Sequence, residues 1–276
     1  MSAVAKHPYH MVNPSPWPVM GAFSALVLAI GAVLMFHKVP IMGVQLGIWK
    51  VVPGFLLVLL TMRFWWRDVT RESVVEHAHT PEVSHGLRMG MALFIASEVM
   101  FFAAFFWAFF HHSLGFGTSV TQWPPEGIEV LEVWTLPFYN TVILLTSGGT
   151  VTRAHLFIER GDNKSAAVWI FITAALGILF LGLQIYEYNH ATYKLTDGIY
   201  PTTFYLATGF HGFHVFVGTV FLLVCGVRAL KNQFQPHKHI GFQACAWYWH
   251  FVDVVWLFLF VWVYWLLGEP VRTFVH

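Results

Sequence analysis

The sequence has few charged residues for its length. Asp, Glu, Lys and Arg make up only 11% of its 276 residues, whereas soluble proteins average about 25%. Hydrophobic residues make up 57% of the chain and aromatic residues 18%. This composition argues against a soluble domain and indicates a protein that lies in a membrane.

The chain also lacks a strong net charge and has little cysteine. Its formal net charge of +1 argues against nucleic acid as a partner, because a nucleic-acid-binding protein needs a basic face. Cys225 and Cys245 both lie in apolar runs. We expect them to be small buried hydrophobes rather than a disulfide or a metal pair.

A secretory signal is not evident. The first apolar run begins near Trp17 and has no Ala-x-Ala exit. It is about 20 residues long, so we expect it to remain as a membrane span. Without a targeting segment, the chain fits a bacterial or an organelle-encoded protein. We expect a multi-pass protein of the bacterial plasma (inner) membrane, with the mitochondrial inner membrane as the alternative.

Apolar runs predict an all-α integral membrane protein with seven transmembrane helices, forming a single membrane domain over residues 1–276. The links between the runs are too short for a separate soluble domain. The second run contains Pro53, where we expect the helix to bend. The predicted spans are about 17–36, 43–66, 86–111, 135–158, 165–188, 203–229 and 241–266.

Lysine and arginine positions predict the orientation of these spans. If the N-terminus and every second loop share one side, that side holds eleven of the basic residues and the other side holds four. Cytoplasmic loops carry the excess of Lys and Arg. The distribution therefore predicts an N-terminus inside and a C-terminus outside, as an odd number of spans requires.

One carboxylate, Glu98, interrupts the long aromatic run of the third span. An acidic group near mid-membrane costs about 2.5–3.5 kcal/mol on translocon scales. The residues three and four positions away are all Phe or Ile, so any partner must come from another helix. Burial among phenylalanines also favours the protonated form.

Further polar residues lie at similar depth. His211 and His214 are three apart on one face of the sixth span, and His250 and Asp253 are three apart in the seventh. With Glu98 they form a candidate intramembrane polar cluster. It could be a hydrogen-bond cluster that holds helices three, six and seven together, or a haem or copper site. A proton relay through Glu98 is a third reading.

An aromatic and basic segment follows the second span. Trp65 and Trp66 are placed at the inner interface and are followed by Arg67 and Arg71. Tryptophan and arginine at headgroup level favour a phospholipid site. A positive-inside anchor without a specific lipid explains the same residues.

Several long stretches together resemble subunit III of the cytochrome c oxidases of the haem–copper class. They occur in order from near the N-terminus to the last span, so the resemblance covers essentially the whole chain. The stretches are YHMVNPSPWP (9–18), WWRDVTRES (65–73), HTPEVSHGLRMGM (79–91), SEVMFFAAFFWAFFH (97–111), WPPEGI (123–128), DGIYPTTFYLATGFHGFHV (197–215) and AWYWHFVDVVWLFL (246–259).

The resemblance implies a fold and a role. The family has seven transmembrane helices, with the first two separated from the other five by a V-shaped cleft that phospholipids fill. The subunit carries no haem, no copper and no catalytic residue, since these belong to the partner subunits I and II. It contacts mainly subunit I, and it meets cytochrome c only through the complex. It protects the oxidase from turnover-linked inactivation and supports proton uptake during electron transfer to oxygen.

Individual residues match the family's motifs. Glu98 matches the buried carboxylate of its S-E-V motif, and we expect no metal at His211, His214 or His250. Lys238-His239 departs from a pair of histidines that is common in the family. The residues that match lipid contacts are Trp65, Trp66, Arg71, Glu72, His79, Phe94 and Arg228.

Two N-terminal histidines, His7 and His10, are predicted on the inner side, where an oxidase takes up protons. Because histidine titrates near neutral pH, they could form a proton-collecting antenna. Solvated terminal side chains are the alternative. For the whole chain, the competing function is a stand-alone transporter or proton channel that uses Glu98 and the mid-depth histidines.

Overall fold

The computed structural model describes residues 12–116, 122–268 and 272–273. This part of the chain is mainly helical, which confirms the all-α expectation. β1 (Gln122–Trp123) and β2 (Arg272–Thr273) form one short antiparallel pair. The helices are α1 (Trp17–Phe36), α2 (Val52–Val74), α3 (Pro81–Ser113), α4 (Leu136–Glu159), α5 (Asn163–His190), α6 (Ile199–Leu230) and α7 (Ile240–Phe258), which continues as a π-helix over Leu259–Leu266.

Five of the described helices are long and apolar enough to cross a membrane: α1, α3, α5, α6 and α7 with its π-helical continuation. α2 carries Arg63, Arg67 and Asp68 within its length, and α4 is rich in hydroxyl and amide side chains. An integral membrane protein is thus supported. The count of seven spans and their orientation stay predictions.

The second predicted span, 43–66, was wrong in its position. The helix begins at Val52 and ends at Val74, and a short 3-10 helix, Gly47–Lys50, precedes it. Pro53 therefore lies in the first turn, where a missing N–H costs nothing, and it does not bend the helix. Gly43 and Gly47 have φ angles of +79° and +51°, a left-handed conformation that favours glycine and interrupts the apolar run.

The chain divides into two compact units, Met1–Gly86 and Leu87–His276. In the first unit α1 and α2 approach closely. A Cβ atom at Gly54 would clash with the backbone of Leu28, and the hydroxyls of Ser24 and Thr61 are 3.2 Å apart. The buried ammonium of Lys50 donates to Leu34 O over 3.2 Å, which satisfies a carbonyl near the C-terminal end of α1.

In the second unit α5 packs between α4 and α6, and α7 lies against α4 and α6. Two fully buried tryptophans hold α7 in place. The indole N–H groups of Trp249 and Trp256 donate to Ser147 Oγ and Thr141 Oγ1 of α4, each over 2.9 Å. A buried indole needs such an acceptor. Two of the hydroxyl residues that make α4 less apolar, Thr141 and Ser147, are thus contacts with α7.

Candidate functional site

Glu98 of α3 pairs with His214 of α6. Glu98 Oε2 lies 2.9 Å from His214 Nε2, and the two side chains are 20% and 8% exposed. The expectation that the partner comes from another helix is confirmed. This pair is the contact that binds the polar centre of α3 to the rest of the unit.

Hydrogen-bond geometry fixes the number of protons in the pair. His214 Nδ1 lies 2.6 Å from the carbonyl oxygen of Phe210, which can only accept, so Nδ1 carries a proton. The contact between His214 Nε2 and Glu98 Oε2 needs a second proton, because one of the two atoms must donate. Either a protonated Glu98 donates to a neutral imidazole, or an imidazolium donates to a carboxylate. Both states are neutral overall, which lowers the cost of placing the pair in a membrane.

Aromatic rings surround the pair. The His214 ring centroid lies 4.9 Å from that of Phe102 and 6.0 Å from that of Phe101. Tyr248 of α7 stacks on it at 6.3 Å. These rings give the hydrogen bond between Glu98 and His214 an apolar surrounding. The arrangement can hold a proton and move it between two atoms.

His250 and Asp253 form a second, separate group. Asp253 Oδ2 lies 3.5 Å from His250 Nδ1, and His250 Nε2 lies 3.3 Å from Thr152 Oγ1 of α4. Among the described residues no hydrogen bond joins this group to Glu98 or His214. The group therefore links α7 to α4, whereas Glu98 and His214 link α3 to α6.

His211 joins neither group. Its ring is fully buried and packs against Phe180 at 5.7 Å and Trp256 at 5.2 Å between centroids. Neither ring nitrogen has a hydrogen-bond partner within the described part of the chain. The single polar cluster that the sequence suggested is thus three separate sites.

Sequence reasoning missed a further buried carboxyl, Glu187 of α5. Its Oε1 accepts from Tyr264 Oη over 2.8 Å and from Gln184 Nε2 over 3.0 Å, and Asn140 Nδ2 donates to Gln184 Oε1 over 3.4 Å. Glu187 is only 2% exposed. The spacing of Gln184 and Glu187, three apart on one helix face, was the available signal. The position of Glu187 at the end of a predicted span hid it.

The predicted lipid segment lies at the C-terminal end of α2. Trp65 and Trp66 are 39% and 60% exposed. The Arg71 side chain is 69% exposed, and its Nε lies 3.3 Å from Glu76 Oε1. Glu72 lies in the last turn of α2, and His79 follows in the link to α3. The segment thus presents indoles and a guanidinium together on one helix end.

The other two predicted lipid contacts lie in the second unit. Phe94 is 46% exposed and stacks on Tyr248 at 6.3 Å. Arg228, near the C-terminus of α6, lies 4.7 Å above the ring of Phe234 and donates to Gln233 Oε1 over 3.2 Å. His7 and His10 lie outside the residues that the structure describes.

Comparison with known proteins decides the family. Residues 7–267 match the family described as Cytochrome c oxidase subunit III. The chain belongs to this family.

Relatives named cytochrome c oxidase subunit 3 are similar over nearly their whole length. The protein from Marchantia polymorpha is 52% identical over 270 residues, which cover 98% of this chain and all of the relative. Those from Arabidopsis thaliana and Dugong dugon are 51% and 52% identical over 264 and 260 residues, covering 95% and 94% of this chain and 98% and 97% of each relative. The resemblance that the motifs indicated is confirmed.

Membership in the subunit III family gives a coarse function directly. The chain is a membrane subunit of a cytochrome c oxidase complex and so takes part in the respiratory chain.

Proposed function

We propose that the chain is the non-redox core subunit of a proton-pumping cytochrome c oxidase. It stabilises the catalytic subunit I, contacts subunit II, meets cytochrome c only through the complex, and binds neither haem nor copper. The lipid-filled V-shaped cleft and the N-terminus-inside orientation belong to this proposal. We place the protein in a bacterial plasma membrane, with the mitochondrial inner membrane as the alternative.

One observation carries the proposal: His214 and His250, two of the three mid-membrane histidines, have their ring nitrogens engaged by the chain's own groups. Both nitrogens of His214 are engaged, one by Phe210 O and the other by Glu98. Both nitrogens of His250 face Thr152 or Asp253. An axial ligand for a haem or copper ion needs a free nitrogen lone pair. These two histidines therefore act as helix-to-helix contacts.

A visible spectrum tests this assignment. The purified chain, separated from subunits I and II, is expected to show no Soret band and no stoichiometric copper by elemental analysis. Co-purification in mild detergent is expected to bring the haem- and copper-bearing chains along. A Soret band that remains with the separated chain contradicts the proposal.

The same subunit is proposed to hold phospholipid at Trp65, Trp66, Arg71, Glu72 and His79, with Phe94 and Arg228 as further contacts. An exposed guanidinium beside exposed indoles fits a phosphate headgroup with acyl chains below it. Arg67 offers a matched control, since it is similarly exposed and likewise paired with a carboxylate, Asp68 at 3.2 Å, but is not among the proposed lipid contacts.

Phospholipid retained by the purified complex measures this role. R71Q is expected to lower the lipid content, and R67Q is expected to leave it near that of the unsubstituted complex. Equal lipid content in both variants would instead support a positive-inside anchor with no specific lipid.

Support of proton uptake is the third part of the role, with His7 and His10 as a proton antenna. Replacing both with Asn is expected to slow steady-state proton uptake at alkaline pH, where few free protons reach the surface. Turnover that is unchanged between about pH 7 and 9 would rule the antenna out.

A stand-alone proton channel is the second candidate function, and the hydrogen-bond contact between Glu98 and His214 is the observation that favours it. The chain reconstituted alone in liposomes would then conduct protons, and E98Q would abolish the flux. Absence of flux leaves the supporting role.

A further inference from the structure

The last turn of α4 and the start of α7 bring three metal-ligating side chains together. His155 and Glu159 are four residues apart and share one face of α4. His239 is the N-cap residue of α7. The two Nε2 atoms lie 3.0 Å apart, and Glu159 Oε1 lies 3.9 Å from His155 Nε2. One ligand atom from each residue lies within 4.8 Å of the others.

Backbone contacts prepare His239 as a ligand. Its Nδ1 lies 3.1 Å from Gln235 O, which can only accept, so Nδ1 carries the proton. In the neutral ring the Nε2 lone pair then points towards His155. Metal-binding histidines commonly donate their other N–H to a backbone carbonyl in this way. The His155 ring is oriented by an edge contact with Phe242 at 5.6 Å between centroids.

The spacing suits a tetrahedral ion. Zn²⁺ lies about 2.0–2.2 Å from nitrogen and oxygen ligands, which places neighbouring ligand atoms roughly 3.3 Å apart. The Nε2 atoms need to separate by a few tenths of an ångström, and Glu159 needs to approach. The Glu159 side chain is 53% exposed, so it can rotate freely. The exposed side leaves the fourth position open to water.

We propose that His155, Glu159 and His239 bind a divalent transition-metal ion, such as Zn²⁺, that clips the end of α4 to the start of α7. Two imidazoles and one carboxylate suit such an ion. The clip goes beyond the proposed function because it involves no electron transfer and lies apart from Glu98 and His214. Its role is to hold the Lys238-His239 connection against α4.

Zn²⁺ binding to the purified, tag-free oxidase complex tests the proposal. The matched control is His190, whose Nδ1 also contacts a carbonyl four residues back, Tyr186 O, over 2.9 Å. His190 belongs to no three-ligand group among the described residues. We expect H155N and H239N each to weaken one Zn²⁺ site by roughly tenfold or more, and H190N to leave it unchanged.

Thermal unfolding separates loss of binding from loss of structure. Zn²⁺ is expected to raise the Tm of the subunit in the unsubstituted complex and in H190N, because a ligand of the folded state stabilises it. E159Q, which removes one exposed ligand, is expected to keep the metal-free Tm and lose most of the Zn²⁺-dependent rise. Zn²⁺ binding by H155N and H239N that equals the unsubstituted complex would overturn the proposal, as would an equal loss in H190N. Without Zn²⁺, oxidase turnover in all four variants is expected to equal that of the unsubstituted complex, because the clip involves no electron transfer.

Discussion

A carboxyl group inside a membrane needs both a proton and a hydrogen-bond partner, and Glu98 has access to both. The backbone carbonyl of Phe210 fixes the tautomer of His214, so the contact with Glu98 always contains one proton. At the scale of single residues, this explains how an isolated acid in an aromatic helix costs little. It also makes different replacements of Glu98 behave differently.

E98Q is expected to leave the free energy of unfolding nearly unchanged, whereas E98A is expected to lower it. The amide N–H of glutamine can donate to His214 Nε2 and keep the hydrogen bond, whereas alanine leaves that buried nitrogen without a partner. Such a loss costs about 1–3 kcal/mol. The free energy of unfolding in mixed detergent micelles is the measurement. Equal destabilisation by the two variants would show that the hydrogen bond contributes nothing.

The position of the shared proton can be read by chemical labelling. A hydrophobic carbodiimide reacts with a protonated carboxyl, so it is expected to modify Glu98 if the neutral acid is populated, and to lose that label in E98Q. No labelling of Glu98 would assign the pair to the imidazolium–carboxylate state.

Asp162 gives a pH-dependent prediction outside the membrane segments. It caps α5, where its Oδ1 accepts from Ser165 N over 3.0 Å. Hydrogen bonds from the side chain and the backbone of Ser165 lower the pKa of the Asp162 carboxyl in the folded protein. The stabilisation is therefore present above the unfolded-state pKa and is lost as the pH falls through the lower, folded-state pKa.

D162A should accordingly lower the Tm at neutral pH, and the difference from the unsubstituted chain should shrink on acidification below pH 4. D162N should keep much of the cap, since asparagine also accepts from the N3 amide. A difference in Tm that stays constant with pH would show that the carboxylate charge plays no part.

At the scale of helices, two adjacent glycines of α4 offer a direct comparison. A Cβ atom at Gly148 would lie 2.5 Å from Asp253 Oδ2, whereas one at Gly149 would meet nothing within 4 Å. G148A is expected to push α7 away from α4 and cost about 1–3 kcal/mol. G149A should be neutral or slightly stabilising, because alanine favours the helix. Resistance to SDS unfolding measures both. Equal effects would show that α4 and α7 can separate freely.

Helices were predictable where long apolar runs coincide with membrane spans. α1 agrees with the predicted 17–36, and α4 to α7 agree within a few residues at most ends. The second span failed because residues 43–51 are apolar but contain glycines in left-handed conformations. Apolar content alone does not distinguish such a loop from a helix.

Site residues were predictable in kind but not in pairing. An intramembrane carboxylate and histidine could be expected to meet, and Glu98 and His214 do. Spacing within one helix gave no means of separating His211 from His214, since their partners belong to other helices. Glu187 escaped notice because a carboxyl at a span end usually lies in the headgroup region, whereas here Tyr264 and Gln184 enclose it.

At the scale of the whole molecule, large apolar side chains stay exposed on the membrane helices. Trp107 is 74%, Leu93 64% and Phe213 60% exposed. Apolar surface of this extent indicates contact with lipid or with another protein. A subunit whose buried carboxyls Glu98 and Glu187 find partners within the chain, and whose exterior is apolar, suits a role in which it covers a neighbour and holds lipid against it.

Sustained turnover of the oxidase with and without this subunit is the most direct test of that role. At a pH low enough that proton uptake does not depend on the proposed antenna, both preparations should begin at a similar rate, and only the complex that lacks the chain should lose activity as turnover proceeds. Adding the purified chain back before turnover should prevent the loss. Full activity through prolonged turnover in its absence would contradict the account.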